Sequence, residues 1–220
     1  MRRQARQAGQ EASAAPHAAC SAALDPLADH AVQCMIGGDH TAFHDGAADD
    51  IARFQQQAGL RSRREVYLPQ LATEKKTEPR ADIVCWGSPA LPICRLDLTM
   101  VSPWAARNAT TLMQAPAATA AKAERAKTAE YGSRGGVFVT GLAIEAGGRH
   151  GPQLANHLRL LANMARARDR QLGREPKQHL RAWRTRLAVL LGRFTASTVT
   201  TALGGHTCTR SGTQPAPARR

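Results

Sequence analysis

At 220 residues the chain is long enough for one domain with a real core plus extensions, and no apolar run reaches the 18 residues of a membrane-spanning helix. The formal net charge of +13 is unevenly placed: residues 149–220 hold 14 Lys/Arg against 2 Asp/Glu, whereas residues 1–148 hold 16 against 15. A near-neutral first part joined to a basic second part points to a polyanionic partner, most often nucleic acid, and away from a membrane; the alternative is a biased Ala/Arg-rich composition with no partner.

The first stretch, 1–19, has arginines and alanines but no apolar segment of a secretory signal, and is expected to be a disordered leader, with a transit peptide as the alternative. The five cysteines (Cys20, Cys34, Cys85, Cys94 and Cys208) are odd in number and irregular in spacing. With no secretory signal they read as reduced thiols of an intracellular protein, some of them candidate metal ligands. Residues 20–45 are rich in Cys, His, Asp and Gly and have no clear period.

Ala47, Ile51, Phe54 and Ala58 recur at helical spacing and Gly59 is a stop, which predicts a first helix from residue 47. "RSRREVYL" (61–68) reads as a strand and "QLATEKKTEP" (70–79) as a polar loop. "ADIVCW" (81–86) and "PICRLDLTMV" (92–101) are strands around a Gly/Pro turn. Residues 117–134 form an alanine-rich helical pattern, and "GVFVTGLAI" (136–144) reads as a further strand. Two basic amphipathic helices follow, marked by Leu154, Leu158, Leu161 and Ala165 and then by Leu180, Trp183, Leu187, Leu190 and Phe194. Residues 204–220 are Gly/Pro/Thr-rich and expected to be loose. This order predicts an α/β layer with a small mixed sheet flanked by helices.

Two of the apolar strands contain an aspartate, Asp82 and Asp97, although acids are poor strand formers and costly to bury. Residues i and i+2 of a strand share a face, so Asp82 lies with Val84 and Trp86, and Asp97 with Arg95 and Thr99. If the two strands pair, the carboxylates converge at one end of the sheet. Close carboxylates call for a cation between them or a shared proton. Hard divalent ions use one or two carboxylates plus substrate phosphate, and such an ion activates water and stabilises charge on a phosphodiester. The competing reading pairs each aspartate with a nearby arginine, Arg80 or Arg95. Cys85 and Cys94 on these strands read as small apolar residues, and Trp86 and Trp104 as packing.

The motifs "HAVQCMIGGDHTAFHD" (30–45), "RREVYLP" (63–69), "PRADIVCWG" (79–87), "RLDLTMVSP" (95–103), "AERAKTAEY" (123–131) and "LAIEAGG" (142–148) stand in one order. Together they resemble the restriction-like, PD-(D/E)xK endonuclease region at the C-terminus of reverse transcriptases of site-specific non-LTR retrotransposons. The chain lacks a polymerase YxDD motif and so resembles a detached or truncated copy of that region. The resemblance implies a restriction-endonuclease-like core over 46–148; patterning and composition add a basic helical C-terminal extension over 149–203 and a disordered tail over 204–220. It implies metal-dependent DNA cleavage in the nucleus, with DNA (or RNA) as partner and Mg²⁺ or Mn²⁺ as cofactor; the alternative is a catalytically inactive nucleic-acid-binding remnant.

Carried over, Asp82 and Asp97 are the metal-binding carboxylates. Thr99 stands at the family's usual lysine position, and Lys127 on the following helix is the match. Lys127 has a plainer alternative, an i,i+3 pair with Glu124 or Glu130. Glu65 and His44 are accessory candidates, Glu65 equally a strand-surface residue, and Asp45 is a candidate N-cap for the first helix. Residues 20–45 are a candidate zinc knuckle in which His17, Cys20, His30 and Cys34 form one ligand set, with His40 and His44 as other candidates and four unligated residues as the alternative. Phe43 and Ala48 replace basic residues common in the family, and Glu130 replaces a lysine before Tyr131. Arg159, Arg166, Arg181 and Arg184 on the two basic helices are the candidate phosphate contacts.

Overall fold

The computed structural model describes residues 39–74, 77–89, 91–131 and 136–207. The expected leader, His17, Cys20, His30 and Cys34 of the candidate zinc knuckle, and residues 208–220 lie outside them. Among the described residues the chain is mixed α/β, with one four-stranded sheet and five α-helices.

Helix α1 spans Asp39–Gln57 and leads into β1, Arg61–Tyr67. The start at Asp39 corrects the expected start at residue 47. Phe43 extends the stripe of Ala47, Ile51 and Phe54 one turn back, and its ring lies 5.1 Å from that of Phe194. Burial of this aromatic face is what lengthens the helix. Asp45 consequently sits inside α1, not at its N-cap.

A short 3₁₀ turn, Pro69–Leu71, precedes β2 (Arg80–Trp86) and β3 (Cys94–Val101). After a second 3₁₀ turn come α2 (Ala109–Leu112), α3 (Ala118–Tyr131) and β4 (Thr140–Glu145). The final strand is shorter than the expected 136–144. Val137 and Val139 are buried under β2 and Tyr131 without pairing into the ladder, so their apolar alternation reports packing instead of strand pairing. Helices α4 (Pro152–Gln171) and α5 (His179–Thr207) complete the chain, α5 running past the expected break at residue 203.

The strand order is β1-β2-β3-β4. β1, β2 and β3 pair antiparallel, and β4 lies parallel to β3, with Asp97 opposite Gly141 and Leu98 opposite Leu142. Ile83, Cys85, Leu96, Leu98, Leu142 and Ile144 face a large apolar cluster with α1, α4 and α5. Val84, Val137, Val139 and Tyr131 of α3 form a smaller cluster. The two basic helices, expected as an extension, are therefore built into the main core: Leu154, Leu158 and Leu161 are fully buried, and Trp183 stacks on Phe54 at 4.8 Å. Cys85 is buried and Cys94 half-buried, opposite each other across β2 and β3.

Buried carboxylates close the helix starts. Glu145 accepts a bond from the Ala120 N–H in the first turn of α3. Glu124, on α3, accepts from the Gln153 and Leu154 N–H groups at the start of α4, at 2.9 and 3.0 Å. Each satisfies donors that a helix leaves open. Glu124 is thus a cap for α4, which removes it as the i,i+3 partner of Lys127.

A polar chain crosses the main core. Ser62 donates to Gln55 Oε1 at 2.6 Å, and the Gln55 amide lies 3.1 Å from His157 Nε2. Burial pushes His157 down from 6.5 to about 4, so the fold holds the neutral ring. The unfolded chain binds a proton that the folded one refuses, and stability falls as pH drops from 6.5 towards 4. His157→Gln is expected to flatten that loss, worth about 3 kcal/mol, when urea unfolding is compared at both ends of the window. An unchanged pH slope in the variant would show that His157 does not titrate this way.

Candidate active site

The β2–β3 ladder runs Cys85↔Cys94, Val84↔Arg95, Ile83↔Leu96 and then stops. One step further, Asp82 and Asp97 would stand opposite each other. There the backbones part, and the Leu98 N–H donates to Asp82 Oδ2 at 2.6 Å in place of a ladder bond. The acid side chain fills the gap that the diverging strands leave, which explains an aspartate in an otherwise apolar strand.

Asp82 is also met from the other side. His44, on α1, places Nε2 at 3.0 Å from the same Oδ2. Burial opposes ionisation of Asp82, but His44, the Leu98 N–H and the charge of Lys127 outweigh it and hold the carboxyl below its usual range. His44 is raised in turn to about 9, chiefly by its bond to Asp82, against the effect of burial.

Asp97 is more deeply buried. Burial, reinforced by the negative charge of Asp82, pushes its carboxyl up, while the Tyr131 hydroxyl and Lys127 act against that rise. Tyr131 donates to Asp97 Oδ2 and lies 3.3 Å from the Arg80 carbonyl. Lys127 places Nζ 3.3 Å from Asp97 Oδ1 and 3.5 Å from Glu130. Burial disfavours the Lys127 charge, but Asp97 and Glu130 more than restore it, and its pKa rises.

The close approach of α3 sets this geometry. A Cβ at Gly141 would lie 2.5 Å from the Glu124 carbonyl oxygen and 2.6 Å from Lys127 Cβ. The Gly141 N–H donates to the Thr128 hydroxyl at 3.0 Å. Because Gly141 is the register partner of Asp97, a helix resting on it delivers Lys127 over that acid. Tyr131, one turn beyond Lys127, lands on the other carboxylate oxygen.

The structure therefore brings together Asp82, Asp97, Lys127 and His44. The arginine alternative does not hold among the described residues: Arg80 pairs with Glu78, and neither Arg80 nor Arg95 ion-pairs with the two acids. Lys127 bridges Asp97 and Glu130: the i,i+3 pair with Glu130 is formed, and the same ammonium lies beside Asp97. Thr99 is half-buried on β3, in register with Ala143. Glu65 is half-exposed, 3.6 Å from Arg64, with a left-handed φ of 51°, a backbone region costly for a residue other than glycine. The β1–β2 register skips it: Arg64 pairs with Ile83 and Val66 with Ala81. Trp104 is exposed, and Trp86 packs at the smaller cluster.

Two contributors were not singled out from the sequence. One is Tyr131, whose signal was its place four residues after Lys127 on a helix. The other is Arg64, which donates to the backbone carbonyls of Asp82 and Asp45, each at 3.0 Å, and pairs with Asp49. It ties β1 and α1 to the strand that presents Asp82. No signal marked it among the three arginines of "RSRRE".

Asp82 and Asp97 supply hard oxygen donors of the kind that Mg²⁺ and Mn²⁺ accept, one or two carboxylates being enough when phosphate and water complete the shell. Their mutual electrostatic strain fits a cation. Among the described residues no group of three or more His, Cys, Asp or Glu is placed to hold a metal ion. No helix among the described residues is long and apolar enough to cross a membrane. No protein-family model matches the chain, and no curated protein matches it.

Proposed function

We propose that the chain is a restriction-endonuclease-like domain, derived from a retrotransposon reverse transcriptase, that hydrolyses DNA phosphodiester bonds with Mg²⁺ or Mn²⁺ in the nucleus. The supporting observation is the convergence of Asp82 and Asp97 from neighbouring strands with Lys127 from the crossover helix between β3 and β4. The order of α1, three antiparallel strands, α3 and a parallel β4 agrees with such a fold.

In this reading Asp82 and Asp97 hold the metal, which when bound supplies an activated water and charge stabilisation at the phosphate. His44 and the Leu98 N–H orient Asp82, and Tyr131 orients Asp97. Lys127, 3.3 Å from Asp97, would lend its ammonium to a phosphate oxygen, adding a fixed positive charge as negative charge grows. Burial around Asp97 strengthens that interaction.

Nicking of supercoiled plasmid by the folded protein tests the proposal: Mg²⁺ or Mn²⁺ is expected to support it and EDTA to stop it. Lys127→Met is expected to slow nicking by about 100-fold with plasmid binding retained. A wild type that folds and binds plasmid but never nicks it would remove the catalytic reading.

One observation favours a second reading, an inactive nucleic-acid-binding remnant. His44 and Lys127 already stand against the two acids, which lessens the need for an added cation. Glu130 also draws on the charge of Lys127. That reading expects DNA binding that is indifferent to Asp82→Asn and no cleavage by either protein.

A further inference from the structure

The arginines of α4 and α5 fall into two sets. Those turned towards α1 are spent on the fold: Arg186 pairs with buried Asp50 at 2.7 Å, and Arg168 donates to the carbonyls of Gln56 and Gln57. Five of the others line a groove of about 860 Å³ between the two helices. Arg159, Arg166 and Arg170 form one wall, Arg181 and Arg184 the other, and Lys177 joins them at the turn. One acid, Glu175, borders it. Among the described residues none of these five arginines has a carboxylate partner within ion-pair distance.

Two of them are held in place by neutral groups. Arg159 is bonded to the Asn156 side-chain oxygen, and Arg166 to that of Asn163 at 2.6 Å. The same Asn–Arg step recurs after two turns, so the guanidinium groups are set about 10 Å apart along α4 with their charges intact. At the closed end, Asp169 bonds His179 at 2.8 Å and accepts from the Lys177 N–H at 3.3 Å, fixing one wall to the other. A surface that orients cations without neutralising them is suited to an extended polyanion.

We infer that this groove is a cradle for the sugar–phosphate backbone of double-stranded DNA. The lining contains no Trp, Tyr or Phe, and its one aromatic ring, His179, is held by Asp169 and packed on Trp183, so it offers a poor platform for stacking the bases of a single strand. Rows of fixed arginines on two braced helices suit the fixed phosphate rails of a duplex. The groove reads backbone and not sequence, because phosphate contacts position a protein without selecting bases. The choice of DNA over RNA rests on the proposed function; the groove itself does not depend on catalysis at the acid pair.

The test is fluorescence anisotropy of a labelled DNA duplex with the full chain in EDTA, where cleavage plays no part. Arg166→Gln/Arg184→Gln is compared with Arg61→Gln/Arg63→Gln, an equal charge change at exposed positions of β1. The groove pair is expected to weaken binding more than about 10-fold at near-physiological salt and to reduce the salt slope by about 2, the β1 pair by much less. Arg166→Lys/Arg184→Lys is expected to keep the slope, and thermal melting checks that every variant folds. Equal losses from both Gln pairs would assign the binding to net charge and overturn the proposal, as would tighter binding to single-stranded DNA or to duplex RNA. Loss of nicking with groove binding intact would instead refute only the catalytic reading.

Discussion

Asp97→Asn is expected to abolish plasmid nicking, by about 10³-fold or ~4 kcal/mol of transition-state stabilisation, while leaving the fold as stable as before or more so. The two halves of this prediction share one cause. The folded state raises the Asp97 carboxyl through burial and the charge of Asp82, so its ionised form is disfavoured relative to the unfolded chain. Removing the charge while keeping the shape relieves that cost, and the amide can still meet Tyr131. Asp82→Asn is expected to behave differently. The Asp82 carboxyl is lowered in the fold, so its charge contributes stability above its unfolded pKa that is lost as pH falls through the folded one. Its amide variant loses both nicking and melting temperature. Nicking assays and thermal melts of the two variants check this, and a destabilised Asp97→Asn that nicks at the wild-type rate would contradict it on both counts.

Gly141→Ala is expected to lower the melting temperature by about 10 °C and to remove most nicking, although no acid or lysine is changed. The added methyl group meets backbone, the Glu124 carbonyl, as well as Lys127 Cβ, so no rotamer change makes room. Helix α3 must lift away from β4. That breaks the Gly141–Thr128 bond and pulls both Lys127 and Tyr131 off Asp97. Differential scanning fluorimetry and the plasmid assay report the two effects together. A variant that melts and nicks like the wild type would mean that α3 does not need this close approach.

Much of this is legible in the sequence alone. Strand periodicity placed Asp82 and Asp97 on adjacent strands, and the apolar spacing of Ala47, Ile51 and Phe54 found α1. What escaped was set by tertiary contacts. The first turns of α1 look polar because His44 and Asp45 serve Asp82 and Arg64, while Phe43 alone reports the buried face. Val137 and Val139 alternate like a strand because they face a small apolar cluster, not because they pair. Glu124 and Glu145 look like solvated charges, and only the fold shows that they close helix ends across 25 or more residues. The arginines of α4 and α5 show the right sign in the sequence. Which of them face α1 and which remain available is decided by the helix rotation that the core leucines impose.

The parallel pairing of β3 with β4 also orders events in time. β1, β2 and β3 each pair with their neighbour in the chain, whereas β4 reaches β3 only after residues 102–139 have looped back. Loop-closure entropy makes that late contact the slow one. The two acids are thus brought together by the early antiparallel strands, and the lysine arrives with the crossover. A chain still emerging from the ribosome before residue 140 holds Asp97 without Lys127 and Tyr131 beside the open edge of β3, and the arrival of α3 and β4 closes both at once.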